Sequence, residues 1–240
     1  TDCYLENRLD VFGSRRRQPG SGTLTVVNRP DSQHRVTHNA SPTPARVISE
    51  LKAGHQRFRQ ANSMHPHATQ ARLHELEHGQ APHAAILTCS DSRVAVELIF
   101  DSGFGDLFVI RNAGNSSTPG TLASVEYAVE ALQVPLVLVM SHSGCGAVGA
   151  ACMPEHLLTP SLIDHVGHIR TGLKGAGLPF EPEVDLAHAY GLHAQITARE
   201  LINSSALLRQ QLESGLLEVH AACFELHTLD INWLGAQHAA

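Results

Sequence analysis

Ala84-Ala85-Ile86-Leu87-Thr88-Cys89-Ser90-Asp91-Ser92-Arg93 carries an apolar run straight into a thiol, a carboxylate and a guanidinium. The run has the length and unbroken apolarity of a strand buried on both faces, as in parallel sheets. The chemistry begins where such a strand would end. Leu136-Val137-Leu138-Val139-Met140 repeats the arrangement and leads into His142-Ser143-Gly144-Cys145. In open α/β sheets, ligands bind beyond the carboxyl ends of the strands. Cys89, His142 and Cys145 meeting there would make a soft, three-ligand site suited to Zn²⁺. Three protein ligands leave the fourth tetrahedral position open, which separates catalytic from structural zinc.

Working outward, helical spacing of Val47, Leu51 and Phe58 predicts a helix over 45–61, and a His-rich helical stretch follows over 68–78. Strands are predicted at 84–88, 106–111 and 135–141, with a short helix near 95–100 and helices over 120–132 and 145–152. Further helices are expected over 160–172, 184–202 and 204–213, and a last strand over 217–223 closes the chain. Strands alternating with helices predict an α/β fold, a central mostly parallel β-sheet flanked by helices, with an N-terminal helical arm. Leu107-Phe108-Val109-Ile110 reads as a second doubly buried strand. A helix starting at about Cys145 would direct its positive end at the sulfur and favour the thiolate. Gly144 and Gly146 allow the backbone to turn tightly beside the metal.

Residues 1–44 differ from the rest. Arg15-Arg16-Arg17-Gln18-Pro19-Gly20-Ser21-Gly22 and Asn39-Ala40-Ser41-Pro42-Thr43-Pro44 are rich in turn formers, with one strand-like run at Thr23-Leu24-Thr25-Val26-Val27. They are expected to form an arm or linker, in part disordered, ahead of one domain over 45–240. The 240 residues, 42% hydrophobic, can bury a sizeable core. A net charge of −6 and the lack of any dense basic block argue against a nucleic-acid partner. No apolar run is long enough to span a bilayer, and the polar start shows no signal peptide. A chain beginning at Thr1 is expected to be processed or part of something longer. Five Cys, an odd number without a disulfide framework, fit a reducing compartment. Cys152 and Cys223 read as buried packing, and Cys3 lies in the arm. Most of the 17 His read as solvated surface residues.

Cys-Ser-Asp-Ser-Arg followed by His-Ser-Gly-Cys-Gly resembles the β-class carbonic anhydrases. The similarity continues through Glu97-Leu98-Ile99-Phe100-Asp101, Gly105-Asp106-Leu107-Phe108-Val109-Ile110-Arg111-Asn112-Ala113-Gly114-Asn115, Ser124-Val125-Glu126-Tyr127-Ala128-Val129 and Ser204-Ser205-Ala206-Leu207-Leu208. It covers about 45–235 and leaves the arm outside. The resemblance implies reversible hydration of CO₂ to bicarbonate and a proton, through zinc-bound hydroxide oriented by an Asp91–Arg93 dyad. It also implies a second state known in some members, in which Arg93 releases Asp91 to the fourth zinc position. Taken alone, the pair is equally a strand-end salt bridge. The established pKa near 7 for zinc-bound water belongs to the three-histidine carbonic anhydrase site. Two thiolates put more negative charge on the metal, so the expected pH–rate midpoint here lies above 7, unless Asp91 compensates.

CO₂ is apolar and needs a dry pocket. Gln80, Phe108 and Tyr127 fall where plant-type members of the family place theirs, and Gly144 adjoins the metal. Gln80 is otherwise a loop residue, and the two aromatics are otherwise ordinary core. The single Trp, Trp233, lies in the tail, which argues against the bicarbonate-regulated bacterial subtype. His67, His83 and His165 are conceivable proton shuttles, and the sequence does not choose among them. Hydrolysis of COS or CS₂ on the same fold, or a zinc-stabilised regulatory module, are the alternatives. The resemblance implies a homodimer, or a tetramer or larger assembly of dimers, with Gln80 and Tyr127 able to face a neighbour's zinc. The arm leaves room for a larger assembly or a fused transporter. A cytoplasmic location is expected, with the cytoplasmic face of a membrane or a carbon-fixing compartment as variants.

Overall fold

The computed structural model describes residues 42–180 and 184–239. The arm over 1–41, its strand-like run at 23–27 included, lies outside the described residues.

Among the described residues, five strands form one sheet in the order β2-β1-β3-β4-β5. They are β1 (Ala84–Cys89), β2 (Leu107–Asn112), β3 (Leu136–His142), β4 (Glu218–Phe224) and β5 (Ile231–Ala236). The first four run parallel and β5 pairs antiparallel with β4. Parallel neighbours need long crossovers, and the helices supply them. They are α1 (Pro44–Arg59), α2 (Gln70–Glu75), α3 (Val96–Ile99), α4 (Pro119–Glu130), α5 (Gly146–Cys152), α6 (Pro160–Gly175), α7 (Leu186–Ser204) and α8 (Ala206–Glu213).

Local chemistry starts the helices where the sequence says. Thr43 accepts a hydrogen bond from the Arg46 N–H, with Pro44 in the first turn of α1. Thr118 and Thr121 make a reciprocal capping box at α4, followed by Pro119. Asp185 and Ser205 cap α7 and α8 in the same manner.

Every side chain of β1 and β3 is buried. Alternate residues feed two separate cores. Ala85, Leu87, Val137, Val139, Val219 and Ala221 pack with α4, α7 and α8 on one face. Ala84, Ile86, Leu136, Leu138, Met140 and Ala222 pack with α1 and α3 on the other. Burying such a side chain stabilises the fold by roughly 1.5–3 kcal/mol. A third cluster joins Cys89 and Cys145 to Val148, Ile169, Leu173 and Tyr190, between α5, α6 and α7.

Two sequence expectations are corrected. β2 is not doubly buried: Leu107, Phe108 and Val109 are only partly covered, and Ile110 alone of the run is buried. The reason is topology, because β2 is an edge strand with a neighbour on one side. The chain also does not end its sheet at β4. A turn through Leu229, at φ +61°, returns it as β5. Trp233 belongs to that strand, against Phe100 at 6.3 Å between ring centroids, with the Lys52 ammonium 5.1 Å from its ring.

Candidate metal centre

β1 ends on Cys89 and the adjacent β3 ends on His142, so their parallel register delivers both to the same edge of the sheet. The following turn bends back through Gly144, at φ +69°, to bring in Cys145 ahead of α5. The sulfurs of Cys89 and Cys145 stand 3.9 Å apart. Two sulfurs bound to one tetrahedral zinc at about 2.3 Å would be separated by about 3.8 Å. The ligand atoms of Cys89, His142 and Cys145 all lie within 4.8 Å of one another, and all three residues are buried.

The histidine shows which atom is meant for a ligand. Its Nδ1–H donates to the Ser143 carbonyl at 3.0 Å, which leaves a lone pair on Nε2. That Nε2 is buried and has no hydrogen-bond partner among the described residues. A bare buried acceptor is costly unless something binds it. A soft cation held by two sulfurs and one imidazole is what this donor set accommodates.

The two thiols are coupled. Hydrogen bonding from Cys145 holds the Cys89 thiol low, helped by backbone N–H groups that include that of Gly114. Cys145 is held high, first by the same shared proton and then by burial, against the first-turn amides of Val148 and Ala147. One thiolate therefore forms readily, and a cation is what would draw off the second proton. Gly114 donates its N–H to the Cys89 sulfur at 3.3 Å. It sits at φ +77°, and a Cβ there would meet the Ala147 Cβ and the Ile169 Cδ1, both at 2.9 Å. Only glycine fits this loop without displacing α5 or α6.

Asp91 and Arg93 form the expected pair. Arg93 grips the carboxylate from two sides, Nε to Oδ1 at 2.9 Å and Nη2 to Oδ2 at 2.7 Å. The Arg93 N–H adds a third bond to Oδ1 at 2.9 Å. These bonds hold the Asp91 carboxyl well below the usual carboxylate range. Its Oδ2 stands 3.9 Å from the orphaned Nε2 of His142, so the carboxylate borders the ligand set. Arg93 Nη2 also reaches the Gly144 carbonyl at 3.5 Å.

Sequence reading passed over Arg111. It donates to the Cys89 carbonyl at 3.1 Å and to the Asp91 carbonyl at 2.8 Å, strapping down the loop that carries ligand and carboxylate. Its signal was the pairing of Thr88 with Arg111 across β1 and β2, which only the register reveals.

Gln80, Phe108 and Tyr127 are elsewhere within one chain. Phe108 pairs with Ala85, near the start of β1, whereas Cys89 pairs with Asn112. Four residues of strand separate those levels by about 13 Å. The Tyr127 ring lies tilted at 45° to that of Phe108, 5.9 Å between centroids, and is half-exposed. Gln80 is exposed in the loop ahead of β1. Among the histidines weighed as shuttles, His67 is engaged by Asp106 ahead of β2 and His83 lies just before β1, while His165 reaches the loop beside Cys89.

The fold and the donor set together define an α/β protein whose Cys89, His142 and Cys145 could hold a metal ion. A family model described as carbonic anhydrase matches residues 84–231. A carbonic anhydrase of Mycolicibacterium smegmatis is 33% identical over 189 residues, covering 76% of this chain and 89% of that protein. Carbonic anhydrase 2 of Mycobacterium tuberculosis is 46% identical over 108 residues, 45% of this chain and 52% of the relative, so that match spans about half of the relative's length. The solved β-carbonic anhydrase CcaA aligns at a TM-score of 0.62 and 27% identity, over 80% of this chain and 93% of that one. The chain belongs to the carbonic anhydrase family, and to its β class.

Proposed function

We propose that this chain catalyses the reversible hydration of CO₂, with Zn²⁺ held by Cys89, His142 and Cys145. The observation that carries the proposal is the orphaned His142 Nε2, beside two sulfurs at tetrahedral spacing and a carboxylate gripped by arginine. Zinc, when bound there, supplies a Lewis acid with one open position that acidifies water. The protein's own part is positional. Asp91 stays ionised with an acceptor oxygen bordering the ligand set, where it would orient a reacting O–H. Arg93 fixes the aim of the carboxylate and keeps it from taking up a proton. Arg111 and the Gly114 N–H hold the loop and sulfur that frame it.

The apolar side of the site is completed in this reading by a second copy. Phe108 and Tyr127 lie on the partly covered edge of the sheet, at the end away from their own ligands, and Gln80 is exposed in the loop ahead of β1. An edge strand with apolar side chains is suited to cover by a neighbour. Specific activity should therefore fall on dilution to monomer; a monomer retaining full activity would remove the shared pocket from the proposal.

The direct test is stopped-flow CO₂ hydration on zinc-quantified protein between about pH 6.5 and 9, where a base titrating near neutrality shows as a rising limb. About one zinc per chain, with a rate that rises with pH, is the expected result. Stoichiometric zinc with no hydration at any pH would overturn the assignment of CO₂ and direct attention to other linear substrates such as COS.

A further inference from the structure

Two histidines outside the ligand set converge on the loop that touches Cys89. His165, on α6, hydrogen-bonds through Nε2 to the Ala113 carbonyl at 2.6 Å. His193, on α7, hydrogen-bonds through Nε2 to the Gly114 carbonyl, also at 2.6 Å. A carbonyl only accepts, so each Nε2 carries the proton. Burial pushes the His193 ring down to about 4, so it stays neutral across the working pH range. Its Nδ1 is buried without a partner among the described residues, which fits a tautomer whose single proton is spent on Gly114.

The Ala113 carbonyl and the Gly114 N–H are the two ends of one planar peptide unit. That N–H is the one aimed at the Cys89 sulfur, at 3.3 Å. A hydrogen bond at the oxygen of an amide draws electron density from its nitrogen and makes the N–H a stronger donor. The path from α6 to the sulfur is therefore continuous: imidazole N–H, carbonyl oxygen, amide N–H, thiolate. His193 pins the next carbonyl, so the peptide cannot rotate its N–H away from the sulfur.

We propose that His165 and His193 are positioning residues that set the donor strength of the Cys89 thiolate, acting through the peptide unit between Ala113 and Gly114. The inference rests on the zinc reading above. Outer-sphere contacts of this kind typically alter metal affinity by about 10–100-fold. They also change the ligand's electronics. Weakening an N–H···S bond raises the energy of the sulfur lone pair, so a sulfur-to-metal charge-transfer band moves to longer wavelength.

The test uses the full chain loaded with Co²⁺, which takes the same tetrahedral donors and has a visible and near-ultraviolet spectrum. Wild type, His165→Ala and His165→Gln are compared by charge-transfer wavelength and by metal dissociation constant in a chelator competition. His165 is partly exposed, so both variants should fold, as far-ultraviolet circular dichroism would verify. His165→Ala should shift the band to longer wavelength and weaken binding about tenfold. His165→Gln places an amide N–H near the position of the imidazole Nε2 and should restore both. A folded His165→Ala with wild-type spectrum and affinity overturns the proposal, as does failure of His165→Gln to restore either. If wild type itself shows no thiolate-to-cobalt band, the zinc reading fails first and the positioning role falls with it.

Discussion

Cys145→Ser should reduce bound zinc from about one per chain to a minor fraction and lower CO₂ hydration at least about a thousandfold. The serine hydroxyl cannot ionise near neutral pH, so the site would keep one thiolate and one imidazole. Cys145 is also the partner that makes Cys89 easy to deprotonate, through the contact between their sulfurs. Its loss therefore weakens the remaining sulfur ligand as well. A second readout follows from linkage. A metal that binds only the folded chain raises stability by about 4 kcal/mol at a thousandfold excess over its dissociation constant. Zinc should raise the melting temperature of the wild type and leave the variant nearly unmoved. A variant that retains stoichiometric zinc and wild-type turnover would remove Cys145 from the ligand set.

Asp91→Asn should keep zinc and lower turnover by about 10²–10⁴-fold, the usual range for a positioned proton acceptor. The shape is nearly conserved but the hydrogen bonding is not. Arg93 donates to both carboxylate oxygens, and its backbone N–H donates to one of them again. An amide must turn its NH₂ toward one of these donors, so the clamp opens on one side. The pH profile separates roles. Arg93 holds the Asp91 carboxyl below the usual range, so the group is charged through the whole assay window. A folded-state pKa depressed in this way adds stability that is present above the ordinary carboxylate range. That stability is lost progressively as the pH falls from the ordinary carboxylate range through the depressed value, all of it below the assay window. The rise of rate with pH therefore belongs to another group, and the variant should keep the rise while losing height. A profile flattened by the substitution would assign the titration to Asp91 and overturn this account.

The convergence of Cys89, His142 and Cys145 was legible because each sits within a few residues of an apolar strand, and strand ends in a parallel sheet face one way. The same local logic placed the Asp91–Arg93 pair. The contacts of Arg111, Gly114, His165 and His193 with the Cys89 loops were not legible. Their partners lie on other elements, and only the register of β1 against β2 and the packing of α6 and α7 bring them within reach. β5 escaped because Asn232 and Gly235 interrupt its apolar residues, and Gly235 reads as a turn former. The exposure of β2 escaped for a different reason. An apolar run reports that a strand will be covered, but not whether its own chain supplies the cover.

Gly114 binds the chemistry of this protein to its packing. The space that a methyl group would need at this position is already taken by Ala147 and Ile169, while the same residue's N–H reaches the sulfur. Positions 114, 147 and 169 therefore cannot drift independently. A lineage that enlarged residue 114 would first have to hollow out a neighbouring helix, and would lose the loop's grip on Cys89 during the transition. Its descendants can vary their surfaces freely, but this interior contact permits few routes of change.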